Sequence, residues 1–163
     1  LSTSGYNDME YSPEFSKRLI EAAEALVQKS GNKDEAHRTI LYLSSLSCEI
    51  NLKAQLEHLG YTPRELRGFS HNLNDLLRLV CDCRFKDSSQ SASALRSKTV
   101  LPGTENGTVG TLLTAEISGA SKYPNEIRYG EIIQHYPPTA MLECARIVNL
   151  WCEENRDNLY IPE

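Results

Sequence analysis

The sequence lacks long apolar runs, an excess of basic residues and any stretch typical of a secretory signal peptide. A membrane-spanning helix needs about 18 consecutive apolar residues, and no run in the chain approaches that length. The net charge of −5 argues against broad, sequence-independent binding of nucleic acid, which requires a basic surface. The 163 residues suffice for one domain with its own core. Because the chain begins with Leu1 rather than methionine, it can be part of a longer protein.

Cysteine is sparse and odd in number, which argues against a disulfide framework. Three of the five cysteines fall within helical patterns, where a free thiol behaves as a small apolar side chain. The motif CDC, with Cys81 and Cys83, has no second cysteine or histidine pair at the spacing of a zinc site. We therefore expect a reducing, cytoplasmic location and no bound metal or cofactor.

Helical periodicity, by contrast, is abundant. Ser12 and Pro13 are residue types of a helix N-cap and first turn, and Gly31 is the predicted end of that helix. The longest predicted helix runs from Asp34 to about Leu59 and is apolar over a wide arc. Such a helix is expected at the centre of a bundle, in contact with several neighbours.

Two further helix starts follow the long helix. The residues TPRE at 62–65 have the form of a capping box with proline at the first helical position. They predict a short helix that ends at Gly68. Either Ser70 or Asn72 then caps the next helix, whose leucines form a core stripe.

The second half of the chain carries weaker patterns. Residues 86–104 are rich in serine and predict a loop, whereas residues 108–117 predict a short helix. Residues 119–130 contain two glycines and a proline, which predict an ordered loop across the bundle. The last helix is predicted to begin at residues 137–138, and no strand pattern is present.

The predicted fold class is all-α, an antiparallel bundle of four to five helices. A polar N-terminal arm, residues 1–11, precedes a single helical domain, residues 12–157. The serine-rich loop lies within that domain.

Three segments, taken in order, resemble a HEPN domain. Residues 43–63 (LSSLSCEINLKAQLEHLGYTP) resemble the long helix, glycine and proline-bearing turn of that family. Residues 70–80 (SHNLNDLLRLV) resemble its histidine-bearing helix entry, and residues 125–131 (NEIRYGE) resemble its Arg-Tyr segment. The likeness covers roughly residues 12–155.

The resemblance implies a HEPN-like bundle, a homodimer and one of two functions. One is an interaction or nucleotide- and phosphate-binding module in a toxin–antitoxin or defence setting. Such a module would work with a nucleotidyltransferase or antitoxin partner. The alternative is a metal-free ribonuclease acting on RNA across a dimer cleft.

The family's ribonuclease motif places an arginine a few residues before a histidine. Arg64 and His71 match it with six residues between them, and Arg128 and His135 match it with the same gap. The resemblance assigns proton transfer to the histidine and stabilisation of phosphate charge to the arginine.

A non-catalytic role uses overlapping residues. Arg67, His71, Arg128 and Tyr129 are the candidate phosphate or nucleotide contacts. An arginine can bind a phosphate through two hydrogen bonds, and a helix N-terminus attracts anions. His71 thus has three possible roles: a residue of the helix entry, a phosphate contact or a catalytic acid–base.

Other chemistry-bearing residues favour structural roles. His37 and His58 on the long helix are expected on a solvated face, and Glu49 and Glu57 share one face of that helix without a di-metal motif. Tyr123, like the other tyrosines near it, either stacks on a base or pins a loop to the bundle.

Overall fold

A computed structural model describes residues 9–30, 34–104, 106–114, 123–124, 127 and 138–163. These parts of the chain are mostly helical, as predicted. Their α-helices are Pro13–Ser30 (α1), Asp34–His58 (α2), Pro63–Arg67 (α3), Leu73–Cys81 (α4), Val109–Leu112 (α5) and Pro138–Asn155 (α6). A 3-10 turn spans Ala92–Leu95, and two short strands are Arg84–Phe85 (β1) and Leu159–Tyr160 (β2).

The helices begin and end at the capping residues that the sequence predicts. The Ser12 hydroxyl accepts from the Phe15 amide at 3.1 Å, at the start of α1. The predicted capping box opens α3, where the side chain of each partner accepts from the backbone N–H of the other. Asn72, rather than Ser70, caps α4 through its side-chain oxygen. Gly60 follows α2 with φ of +115°, a conformation that favours glycine.

Helix α2 occupies the centre of the described core, as the wide apolar arc predicts. Residues 47–56 are all buried, including the polar and charged ones. Helices α1, α4 and α6 pack around it. The polar groups of this stretch can therefore form hydrogen bonds only within the protein.

A small antiparallel strand pair corrects the expectation that the chain has no strands. Arg84 pairs with Tyr160, and Phe85 with Leu159. The Lys86 amide extends the contact by donating to the Asn158 carbonyl at 2.7 Å. Two residues on each side give too little alternation to be recognised in the sequence.

The serine-rich segment 86–104 contains ordered structure. Ala92, Leu95 and Val100 point into the core, and Thr99 forms an isolated bridge with Thr108. The Thr108 hydroxyl caps α5, within the predicted helix 108–117. Only residues 123–124 and 127 of the predicted loop 119–130 belong to the described part of the chain.

All five cysteines are buried and free. Cys81 and Cys83, the CDC pair, both lie in the core. Within the described ranges, no helix has the length and apolar character to cross a membrane.

Candidate functional site

The most unusual feature of the core is a charged pair on α2. The Glu49 carboxylate and the Lys53 ammonium lie one helical turn apart, and their side chains are only 6% and 4% exposed. Lys53 Nζ donates to Glu49 Oε2 at 3.0 Å. Burial of two charges is costly unless both are paired and their remaining hydrogen-bonding groups are satisfied. The remaining oxygen of Glu49 and the remaining N–H groups of Lys53 therefore need further hydrogen-bond partners.

The second carboxylate oxygen of Glu49 gathers two distant side chains. Tyr123 Oη donates to Glu49 Oε1 at 2.6 Å, and His71 Nδ1 lies 2.9 Å from the same oxygen. We refer to Glu49, Lys53, His71 and Tyr123 as the Glu49 cluster. One buried carboxylate thus joins the central helix to the turn before α4 and to the segment that contains Tyr123.

Lys53 holds the turn before α4 from the interior of the protein. Its ammonium donates to the Ser70 carbonyl oxygen at 2.6 Å, in addition to its bond with Glu49. Ser70 has φ of +51°, a left-handed conformation that few non-glycine residues adopt. The next residue is His71, whose imidazole reaches Glu49. Lys53 and Glu49 together therefore set where this histidine lies.

His71 joins the buried cluster to the surface. Its side chain is 48% exposed, although its Nδ1 atom contacts a carboxylate that is almost wholly buried. The edge of the ring also packs against Tyr123, with centroids 5.9 Å apart and planes at 84°. With Nδ1 occupied, Nε2 is the ring nitrogen available to a ligand or to solvent. A carboxylate that holds an imidazole in this way fixes its orientation and, in the neutral ring, its tautomer.

Tyr123 contributes a hydroxyl that stays protonated. Burial and the neighbouring Glu49 carboxylate raise its pKa well above the ordinary range of tyrosine. The hydroxyl is therefore a permanent donor to Glu49 at physiological pH. Its ring also lies against Tyr42, with centroids 5.7 Å apart. These two contacts hold Tyr123 against the central helix.

A second layer of contacts surrounds the cluster on the N-terminal side. The ring of Tyr11 lies 5.3 Å from Lys53 Nζ, within the range of a cation–π contact. Glu57 accepts from the backbone amides of Glu10 and Tyr11, each at 3.0 Å. The neighbouring Glu10 carboxylate binds Arg67 through two hydrogen bonds of 3.0 and 2.8 Å. Residues 10–11 are thereby fixed beside the cluster.

The predicted site residues lie in different parts of the structure. His71 lies in the Glu49 cluster, and Arg67, four residues earlier, pairs with Glu10 on the surface. Arg64 is exposed and makes no ion pair or hydrogen bond through its side chain with another described residue. The remaining predicted site residues lie outside the described part of the chain; they are Arg128, Tyr129 and His135.

Sequence reasoning missed Glu49 and Lys53 as members of the site. An i,i+4 Glu–Lys pair is typical of a solvent-exposed helix face. The signal that could have found them is the wide apolar arc of the same helix, which leaves no solvated face for residues 47–56.

Two further expectations concern α2. His37 is half-buried, and the His58 side chain is 33% exposed with Nε2 2.8 Å from Asp157 Oδ1. His58 is thus held by a carboxylate, where a merely solvated side chain was expected. No group of three or more histidine, cysteine or acidic side chains is placed to hold a metal ion among the residues that the structure describes.

Comparisons with protein families, with curated proteins and with solved structures give no match for this chain. The Glu49 cluster offers one oriented imidazole at the surface, held by a buried carboxylate that also accepts hydrogen bonds from Lys53 and Tyr123.

Proposed function

We propose that the chain is a HEPN-like binding module that recognises a phosphate group at the turn before α4, in concert with a partner protein. His71 would donate to the phosphate through Nε2, and Arg64 would add positive charge from α3, whereas the Arg67 guanidinium is already paired with Glu10. The ligand would be a nucleotide or the backbone of an RNA.

One observation carries this proposal: His71 is half exposed while its Nδ1 is held by the buried Glu49 carboxylate at 2.9 Å. A side chain oriented before the ligand arrives loses little conformational entropy on binding. The protonated ring donates from both nitrogens, so that Nδ1 stays with Glu49 and Nε2 binds an anion. Arg64 has no ion-pair partner in the described ranges, which leaves its charge available.

The bundle arrangement that the resemblance implies belongs to the same proposal. It is supported by two ion pairs between α1 and α6, Lys17–Glu153 and Glu24–Arg146. Residue numbers rise in one helix as they fall in the other, as in an antiparallel pair. The homodimer and the nucleotidyltransferase or antitoxin partner follow from the HEPN resemblance, and light scattering of the purified protein tests the dimer.

A titration with AMP and with adenosine tests the binding role. We expect AMP to shift the His71 ring resonances in a saturable way and adenosine, which lacks phosphate, to leave them unchanged. His71→Ala should weaken AMP at least about tenfold, or 1.4 kcal/mol.

The matched control for His71→Ala is His37→Ala, which changes the same residue type at a position outside the cluster. AMP should bind this variant as it binds the unmodified protein. Equal binding of AMP and adenosine, or equal losses in the two variants, would refute the proposal.

A metal-free ribonuclease is the second candidate. The contact between His71 Nδ1 and the Glu49 carboxylate also favours it. In the neutral ring, Nδ1–H donates to Glu49 and the Nε2 lone pair can accept a proton from a ribose 2′-hydroxyl. A carboxylate that orients a base is a recurrent arrangement in enzymes that use histidine. Arg64 would then stabilise the phosphate charge.

Incubation of a labelled RNA with the purified protein in EDTA separates the two candidates. Cleavage that is lost in His71→Ala and retained in His37→Ala would establish the ribonuclease. Binding of AMP without any cleavage of RNA would leave the binding module. The same assay on His135→Ala tests the second predicted pair, Arg128 and His135.

A further inference from the structure

A cleft of about 350 Å³ lies between residues 9–14, the end of α2 and Arg156, which follows α6. This volume lies at the lower end of the range of small-molecule sites in proteins. No member of the Glu49 cluster and none of the predicted site residues lines the cleft, although Tyr11 in its wall contacts Lys53.

Much of the cleft wall is apolar and held in place. Met9, Tyr11, Pro13 and Ala54 contribute to the lining. The Tyr11 amide donates to Glu57 at 3.0 Å, and the Tyr11 ring lies beside the Lys53 ammonium. The wall is therefore formed before any ligand binds, which favours a flat or compact apolar body.

Arg156 supplies a positive charge that no carboxylate neutralises within the described ranges. Its guanidinium lies 3.3 Å from Gln55 Oε1, a neutral acceptor. No acidic side chain of the described residues forms an ion pair with it. A guanidinium in this condition can bind the two oxygens of an acid group in its plane.

The other ionisable groups at the cleft are already engaged. Glu14 forms an ion pair with Arg18 on the next turn of α1. His58 turns Nε2 toward the exposed Asp157 carboxylate at 2.8 Å, which leaves Nδ1 as its second hydrogen-bonding atom. The charge that remains for a ligand is therefore that of Arg156, and it is positive.

We propose that this cleft binds a small organic anion, an apolar or aromatic body that carries one acid group. The body packs against Tyr11 and Pro13, and the acid group binds the Arg156 guanidinium. The proposal is independent of the phosphate site at His71, because no residue of that site lines the cleft.

Benzoate, phenyl phosphate and benzyl alcohol are suitable probes, since they share a ring and differ in the polar group. In a titration followed by amide chemical shifts, we expect the two anions to produce saturable shifts at residues 9–14 and the alcohol to produce none. The tighter anion identifies the acid group. An absence of saturable shifts, or equal binding of the alcohol, would overturn the proposal.

Four variants test the role of Arg156 and the independence of the two sites. Arg156→Gln should weaken anion binding at least about tenfold, which corresponds to 1.4 kcal/mol, whereas the exposed control Arg78→Gln should leave it unchanged. Glu14→Gln removes a negative charge from the lining and should tighten binding, a gain that a damaged fold would not give. His71→Ala should not affect benzoate, so that this site and the proposed phosphate site can fail separately. Equal binding by Arg156→Gln and Arg78→Gln would contradict the assignment.

Discussion

Glu49 and His71 lie 22 positions apart in the chain, yet Glu49 Oε1 and His71 Nδ1 are 2.9 Å apart. The carboxylate belongs to the most buried helix of the described core, and the imidazole is half exposed. This contact extends the buried charged pair to the surface. The stability of the pair and the position of the histidine should therefore depend on each other.

Lys53→Met is expected to destabilise the protein by about 3–5 kcal/mol, because it leaves the Glu49 carboxylate buried without its counter-ion. Glu49→Gln should be costly for the converse reason. The double variant should lose clearly less than the sum of the two, since neither charge is then left alone. Urea unfolding of all four proteins measures the coupling.

The exposed pair Lys17–Glu153 serves as the control for this cycle, with side chains that are 51% and 45% exposed. Lys17→Met and Glu153→Gln should each change the free energy of unfolding by no more than about 0.5 kcal/mol. Strict additivity of Lys53→Met and Glu49→Gln would show that the buried pair does not act as a unit.

Tyr123 should make the protein sensitive to alkali. Its pKa is raised in the folded protein by burial and by Glu49, whereas the unfolded chain loses the phenolic proton near pH 10. Stability from this group is therefore complete below about pH 10 and falls above it, by up to about 1.4 kcal/mol per pH unit. In Tyr123→Phe this part of the loss should be absent.

Unfolding free energies at pH 9, 10 and 11 test this difference in slope. Tyr160→Phe is the control, because Tyr160 lies in the terminal strand and outside the cluster. It should follow the slope of the unmodified protein. Identical slopes for Tyr123→Phe and the unmodified protein would show that the hydroxyl is not held by the carboxylate.

The five cysteines should resist thiol reagents in the folded protein. All are buried, and burial raises the pKa of Cys83 to about 11 and that of Cys152 to about 12. The pKa of Cys48 is raised by its hydrogen bond to the Cys144 thiol and by burial. Since the thiolate is the reactive form, we expect negligible labelling by DTNB at pH 8 and five labelled thiols in denaturant.

Ser93→Cys places a thiol at an exposed position of the 3-10 turn and provides the reference rate. It should react within the time in which the native cysteines do not. Rapid labelling of any native cysteine would mean that its part of the core opens readily.

The helix starts could be predicted because capping is local. Thr62 and Glu65 lie three residues apart, and the capping box that they form depends on little else. The same holds for Asn72 and the Asp75 amide at α4. Such contacts can be recognised wherever the chain folds back on itself within one turn.

The contacts of Glu49 with His71 and Tyr123 could not be predicted, because they are long-range. Tyr123 lies 74 positions from Glu49, and nothing near either residue indicates the other. His71 was selected for its neighbours Arg64 and Arg67, whereas the structure ties it to the central helix. The strand pair is likewise long-range, since Phe85 pairs with Leu159, and its two residues on each side are too few to show a pattern.

Gly107 should tolerate no side chain, because the chain closes tightly around it. Its carbonyl oxygen accepts from the Val100 amide at 2.6 Å and from the Leu101 amide at 2.9 Å. A Cβ atom at Gly107 would overlap the Leu101 carbonyl oxygen and lie 2.9 Å from the Leu101 Cβ atom. Backbone cannot move aside as a flexible side chain can, so Gly107→Ala should cost about 1–3 kcal/mol.

Gly103→Ala separates overlap from backbone strain in this segment. Gly103 has φ of +78°, but a Cβ atom there would meet nothing within 4 Å. The cost of that substitution should be limited to about 1 kcal/mol, the penalty of a left-handed conformation for an ordinary residue. Urea unfolding should therefore rank Gly107→Ala below Gly103→Ala in stability, and hydrogen exchange at the Val100 and Leu101 amides should accelerate in Gly107→Ala alone. The reverse order would mean that the contact between Gly107 and Leu101 is looser than the geometry requires.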